Sequence, residues 1–130
     1  MQRADGVSIG MLDCAPRAFA APSPLPRNFK IILIKPSHYD ADGYVIQWWR
    51  STIPSNSLAS VYGLFTECAE EKTLGPDVEI DIEAYDECNT VIDVKAAIKR
   101  IRATGAGFVG LVGVQSNQFP RGLALARQFR

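Results

Sequence analysis

A single histidine, His38, limits the chemistry open to this chain. A metal site built on several imidazoles is excluded, and a Ser-His-Asp triad would have to pass through that one residue. No GxSxG elbow accompanies it, so nucleophilic hydrolysis finds no support. The stretch "DADG" (residues 40–43) is similar to the opening of a calcium loop. Only Asp40 and Asp42 fall near that ligand pattern, however; the glycine comes early, and Ser51 stands where the terminal glutamate belongs. It reads as a turn.

"GAGFVG" matches GxGxxG through Gly105, Gly107 and Gly110. A dinucleotide site needs those glycines after a strand and before a helix, where pyrophosphate meets helix donors. Here they fall before and inside an apolar strand, so they read as a helix C-cap and as tight strand packing. "QSNQFP" supplies amides and a hydroxyl through Gln115, Ser116, Asn117 and Gln118 at the turn after that strand, where doubly wound folds hold ligands. Helix capping by Ser116 or Asn117 is the other use of the same residues. The connection from Pro36 to Pro54 is far longer than the roughly two to six residues usual between strand and helix. It carries His38, Tyr39, Tyr44, Trp48 and Trp49; the two tryptophans suit a ligand contact or a cap on the core equally.

The elements that would position these turns alternate in type. "KIILIKPS" holds four large apolar residues in a row and suits a short strand buried on both faces. "PSNSLASVYGLFTECAEEK" sets Leu58, Val61, Tyr62, Phe65, Cys68 and Ala69 at steps of three and four, with Ser55 or Asn56 as N-cap. "VEIDIEAYD" alternates, with Val78, Ile80 and Ile82 on one face and Glu79, Asp81 and Glu83 on a wet face, as at a sheet edge. A helix over residues 94–104 buries Val94, Ala97, Ile98 and Ile101, turns Lys95, Lys99, Arg100 and Arg102 to solvent and ends at Gly105. "FVGLVGV" is the third strand, and Pro120 marks the third helix. The order βαβαβα with right-handed crossovers predicts an α/β fold, an incomplete doubly wound, flavodoxin-like (Rossmann-like) parallel sheet in strand order 2-1-3.

Residues 1–29 have no sustained period, and "APRAFAAPSPLPRNF" holds four prolines; they read as a poorly ordered leader or linker before one domain over residues 30–130. The chain has 130 residues, 47% of them hydrophobic, the size and composition of one globular core. Fourteen basic and fourteen acidic side chains cancel, leaving no long-range field to gather nucleic acid or bind an anionic membrane. Cys14, Cys68 and Cys88 are odd in number and far apart, so a reducing cytoplasm is the expected setting. No apolar run nears the roughly 20 residues needed to span a bilayer.

"KIILIKPSHYDADGYVIQWWRSTIPSNSLASVYGL" followed by "GFVGLVGVQSNQFPRGLALARQFR" resembles the N-terminal cobalamin-binding-type domain of radical SAM proteins. In that family a strand ending in Lys or Asn and Pro leads to a helix reading "P.gL..la", and a later "vGis" strand turns through a short polar stretch into "pral.ia..fk". The likeness covers roughly residues 30–130. It implies that Ser37, His38 and Tyr39 after the first strand, Asp86 after the second, and Gln115, Ser116, Asn117 and Gln118 after the third line the face that receives a corrinoid, cobalamin. The family continues with a further strand bearing a Gly-Gly turn and a barrel with a CxxxCxxC motif. That barrel holds the iron-sulfur cluster that cleaves S-adenosylmethionine, and the present sequence has neither piece. The DxHxxG loop that supplies a lower histidine ligand in other cobalamin domains is also missing, so coordination without a protein histidine is expected.

On this reading the chain is a partial cofactor-binding domain, itself without catalytic residues, of a radical SAM enzyme. Its partners would be the corrinoid and the rest of that polypeptide, or another chain, covering the third strand. A second reading is a non-catalytic interaction module that pairs through that exposed strand with a partner or with its own twin.

Overall fold

The computed structural model describes residues 27–48 and 55–130. The expectations placed on residues 1–26, and on Trp49 and Pro54, lie outside the described residues. The elements are β1 (Asn28–Lys35), α1 (Asn56–Glu70), β2 (Glu79–Asp86), α2 (Val94–Thr104), β3 (Gly107–Leu111) and α3 (Phe119–Gln128). The strands are parallel, in the order β2-β1-β3, the βαβαβα, flavodoxin-like arrangement expected from the pattern.

Why β1 is apolar throughout is explained by its place. Ile31 and Leu33 pack toward α1 with Leu58 and Val112, while Ile32 and Ile34 pack toward α2 and α3 with Ala97 and Leu125. Ile31, Ile32, Leu33 and Ile34 are all buried, each contributing about 1.5–3 kcal/mol of transfer free energy. β1 also starts at Asn28, two residues inside the stretch read as leader. Asn28 pairs with Glu79 and Phe29 with Ile80, and Phe29 meets Phe108 edge-on, ring centres 6.2 Å apart.

The helices start and stop as their ends dictate. Ser55 caps α1 by accepting from the Leu58 N–H at 3.3 Å. Asp93 caps α2 by accepting from the Ala96 N–H at 2.9 Å, and Gly105 closes it in the left-handed region, φ 80°. α3 carries Pro120 in its first turn, but Gln118 occupies its N-cap with no side-chain capping bond. Ser116 and Asn117 are exposed instead of capping.

β2 is at the sheet edge as expected, but its polar face is less wet than the alternation suggests. Lys30 reaches across from β1 to place its ammonium 2.5 Å from both Asp81 and Glu83. Arg100, on α2, adds an ion pair to Glu83 at 3.1 Å and donates to the Tyr85 hydroxyl at 3.2 Å. Asp81 and Glu83 of β2 thus join a charge network with Lys30 and Arg100, while Glu79 stays exposed; Arg100 belongs to that network instead of to a purely solvated helix face.

Candidate functional site

α1 packs on one face of the sheet and α2 and α3 on the other. The connections leaving β1 and β3 therefore part in opposite directions, and the crevice between their carboxyl ends is the usual ligand position in such sheets. Gln118 occupies that crevice. Its side-chain oxygen accepts from the Gln115 N–H at 3.0 Å, and its amide nitrogen donates to the Pro36 carbonyl at 2.9 Å. The two loops are tied by one buried side chain.

A second tie runs beneath them. Glu87, directly after β2, is 1% exposed; its carboxylate accepts from the Ser37 N–H at 3.1 Å and from Arg121 of α3. One carboxylate so connects the ends of β1 and β2 with α3. The Arg121 guanidinium also lies 6.0 Å from the centre of the Tyr39 ring, near the outer limit of a cation–π contact. The bond from Glu87, against the opposing effect of burial, holds the Arg121 pKa above its ordinary value, so the guanidinium stays charged.

Part of the long β1–α1 connection is a small hairpin. Tyr39 bridges Val45 in antiparallel fashion, and Asp40 closes the turn by accepting from the N–H groups of Asp42 and Tyr44 at 3.0 and 2.8 Å. "DADG" is thus a turn held by an aspartate, as read from the sequence. The Ser37 hydroxyl, fully buried, donates to the Ile46 carbonyl at 2.5 Å and pins the hairpin to the sheet. Trp48 is exposed, and its backbone N–H donates to the Cys88 carbonyl.

Beside this region, a groove of about 610 Å³ opens between α1 and the edge strand β2, lined among others by Ser55, Leu58, Tyr62, Ile82, Asp86 and Thr90. Asp86 sits where the groove meets the strand end. It accepts from the Cys88 N–H at 3.0 Å and faces the Lys35 ammonium at 3.3 Å. Burial, helped by the bond to Asp86, pushes the Cys88 thiol above its usual pKa and keeps it protonated at neutral pH.

The residues singled out in the sequence thus divide into two sets. Ser37 and Gln118 are buried and bonded within the fold. His38 and Tyr39 are half-buried at the foot of the hairpin, Asp86 rims the groove, and Gln115, Ser116 and Asn117 form an exposed turn. Glu87, Arg121 and the groove-lining Tyr62, Asn89 and Thr90 were not singled out as site residues. The alternation of β2 gave a signal for Glu87, since it continues the polar parity of Glu79, Asp81 and Glu83 into a loop. Nothing local marks Arg121 as its partner.

Among the described residues no group of three or more His, Cys, Asp or Glu side chains is placed to hold a metal ion, and no helix is long and apolar enough to cross a membrane. No family model, curated protein or solved structure matches the chain.

Proposed function

We propose that this chain is a corrinoid-holding α/β unit of the cobalamin-binding type, serving a radical SAM enzyme in which an iron-sulfur cluster and S-adenosylmethionine supply the radical chemistry. The single observation that carries the reading is the groove of about 610 Å³ between α1 and the edge strand β2, which reaches the carboxyl end of that strand at Asp86, Asn89 and Thr90, a volume suited to a small-molecule site. Its rim carries the Asn89 amide and the hydroxyls of Ser55 and Thr90 beside Asp86, polar groups that suit a large ligand rich in amide groups.

The donor set fits the group. Cobalt in a corrin is held by the nitrogens of its own ring, so the protein face needs hydrogen-bonding groups and no cluster of ligands; His38 is the one imidazole in the chain. His38, Tyr39, Asp86, Asn89, Thr90, Gln115, Ser116 and Asn117 would hold the corrinoid, while Ser37, Glu87, Gln118 and Arg121 keep the loops beneath it in place. A bound corrinoid supplies a cobalt centre that carries an alkyl group or an electron. This chain binds and orients, and its own residues move no proton. A cytoplasmic setting accords with the reading, since Cys68 and Cys88 are free thiols.

Titration of the purified chain with hydroxocobalamin, followed by visible absorbance and by retention of colour after gel filtration, tests the proposal. Saturable spectral change with stoichiometric retention is expected, weakened at least about tenfold by Thr90→Trp, which fills the groove rim. Unchanged spectra and loss of all colour on the column would remove the corrinoid.

A further inference from the structure

The outer edge of β3 carries an interaction surface whose chemistry can be read residue by residue. Lys30 N–H donates to the Ala106 carbonyl at 3.0 Å, and Val112 N–H donates to the Ile34 carbonyl at 2.8 Å. Strand alternation then turns the backbone groups of Ala106, Phe108, Gly110 and Val112 toward β1 and those of Gly107, Val109 and Leu111 outward. Among the described residues nothing pairs with that outward row.

Edge strands are normally guarded by charges or proline. From Ala106 through Phe119 the chain has neither. The flanks of the edge are apolar as well. On the α1 side Phe108 is 40% exposed and packs on Phe65, with Leu64 of the same helix 61% exposed. On the other side Phe119 and Leu123 of α3 are 59% and 40% exposed, on the flank of the helix opposite Arg121. A sheet edge with apolar side chains above and below it, and bare of charge, is built to continue into another strand.

We propose that a second copy of this chain covers that edge, joining two sheets antiparallel across a two-fold axis at Val109. The argument for a twin is the strand's own self-complementarity. With Val109 opposite its symmetry mate, Gly107 faces Leu111 and Leu111 faces Gly107, so every outward N–H and C=O of the strand meets its counterpart. Phe108 then falls opposite Gly110 in the closer, non-hydrogen-bonded pairing, so no Cβ of the facing strand stands against the ring. The large residue meets the small one on both faces, and the β-branched Val109 pairs with itself. Moving the axis to Gly107 or Leu111 leaves two of the three outward residues without a counterpart in the strand. Equal numbers of acidic and basic groups give two copies no net repulsion, and an isologous contact closes without forming filaments. The corrinoid reading plays no part in this inference, which uses only the strand edge and its flanks.

Sedimentation velocity on the full chain tests it, with amide hydrogen exchange as a second measurement. The expected result is a dimer that dissociates on dilution, with the Val109 amide protected at high concentration and exchanging faster as the dimer is diluted. Val109→Pro removes an outward N–H without touching a bond to β1, and Phe108→Lys sets a charge on the edge. Each is expected to weaken dimerisation at least about tenfold while far-UV circular dichroism stays unchanged. Where a variant fails to fold, exchange at Val109 in the unaltered chain decides the matter. A monomer at every concentration overturns the inference, including the case in which residues 1–26 cover the edge and deleting them releases dimerisation. A dimer that survives both folded variants, or Val109 exchange indifferent to concentration, overturns it equally.

Discussion

Arg121 Nε lies 3.0 Å from each carboxylate oxygen of Glu87, and a terminal guanidinium nitrogen reaches Oε1 as well. The Glu87 side chain is 2% exposed and that of Arg121 16%. Two charges this dry are held by each other and by the Ser37 N–H, so their value is best measured by removing one and then both.

Arg121→Met leaves a carboxylate buried with a single donor, and the expected loss is about 3–5 kcal/mol in urea unfolding. Glu87→Leu together with Arg121→Met removes both charges and is expected to recover most of that loss, short of about 1 kcal/mol for the Ser37 N–H left unpaired. A double variant as unstable as the sum of the single ones would show that the pair is not coupled.

Ser37→Ala deletes the hydroxyl that donates to the Ile46 carbonyl. The Ile46 carbonyl is part-buried, so losing its donor costs about 1 kcal/mol. Because the bond pins a hairpin, the change is also expected to act locally: amides of residues 40–46 should exchange faster than those of β1, by hydrogen-exchange mass spectrometry. Uniform acceleration across β1 and the hairpin would place the bond's effect in the whole fold and not in the hairpin.

The network under α2 predicts opposite behaviour at the two ends of the pH scale. Burial pushes the Glu83 carboxyl up, but the Lys30 ammonium and the Tyr85 hydroxyl more than offset it, so its pKa lies below the ordinary 4.5. Its contribution to stability is complete above that value and is lost as pH falls through the lowered one. For Lys30 burial acts downward and the bonds to Asp81 and Glu83 outweigh it, raising the pKa above 10.5; that contribution is complete below 10.5 and is lost as pH rises through the raised value. Glu83→Gln should cost about 1–2 kcal/mol at pH 7 and flatten the acid limb of a stability-pH curve. An acid limb as steep as in the unaltered chain would assign the acid sensitivity to other carboxylates.

What the sequence made legible follows from what is local. The unbroken apolar run of β1, the helix of α2 with Gly105 after it, and the alternating strand β2 each report a residue's own surroundings, and each element appears where its pattern placed it; Arg100 and Glu83, read as solvated, are instead drawn into the network. The ties between strand ends were less legible. Gln118 with Pro36 and Arg121 with Glu87 are 82 and 34 residues apart, and their side-chain types allow many partners. Capping is one of two uses open to Ser116 and Asn117, whose short polar side chains suit it, yet the longer Gln118 takes the N-cap position and its amide bonds across the crevice.

Gly107 gives the sharpest test of the sheet itself. A Cβ built there would stand 2.1 Å from the Lys30 carbonyl oxygen and 3.0 Å from its carbon, and both atoms belong to backbone that is paired on its other side with β2. Neither strand can give way without losing ladder bonds, so Gly107→Ala is expected to cost more than about 3 kcal/mol, or to prevent folding. Gly63 is the control: it lies exposed within α1, with nothing within 4 Å of its would-be Cβ. Gly63→Ala should therefore raise stability by about 0.5–1 kcal/mol through helix propensity alone. Thermal and urea unfolding of the two variants side by side checks both. If Gly107→Ala proved as well tolerated as Gly63→Ala, β3 would not lie as close to β1 as the pairing of Lys30 with Gly107 requires.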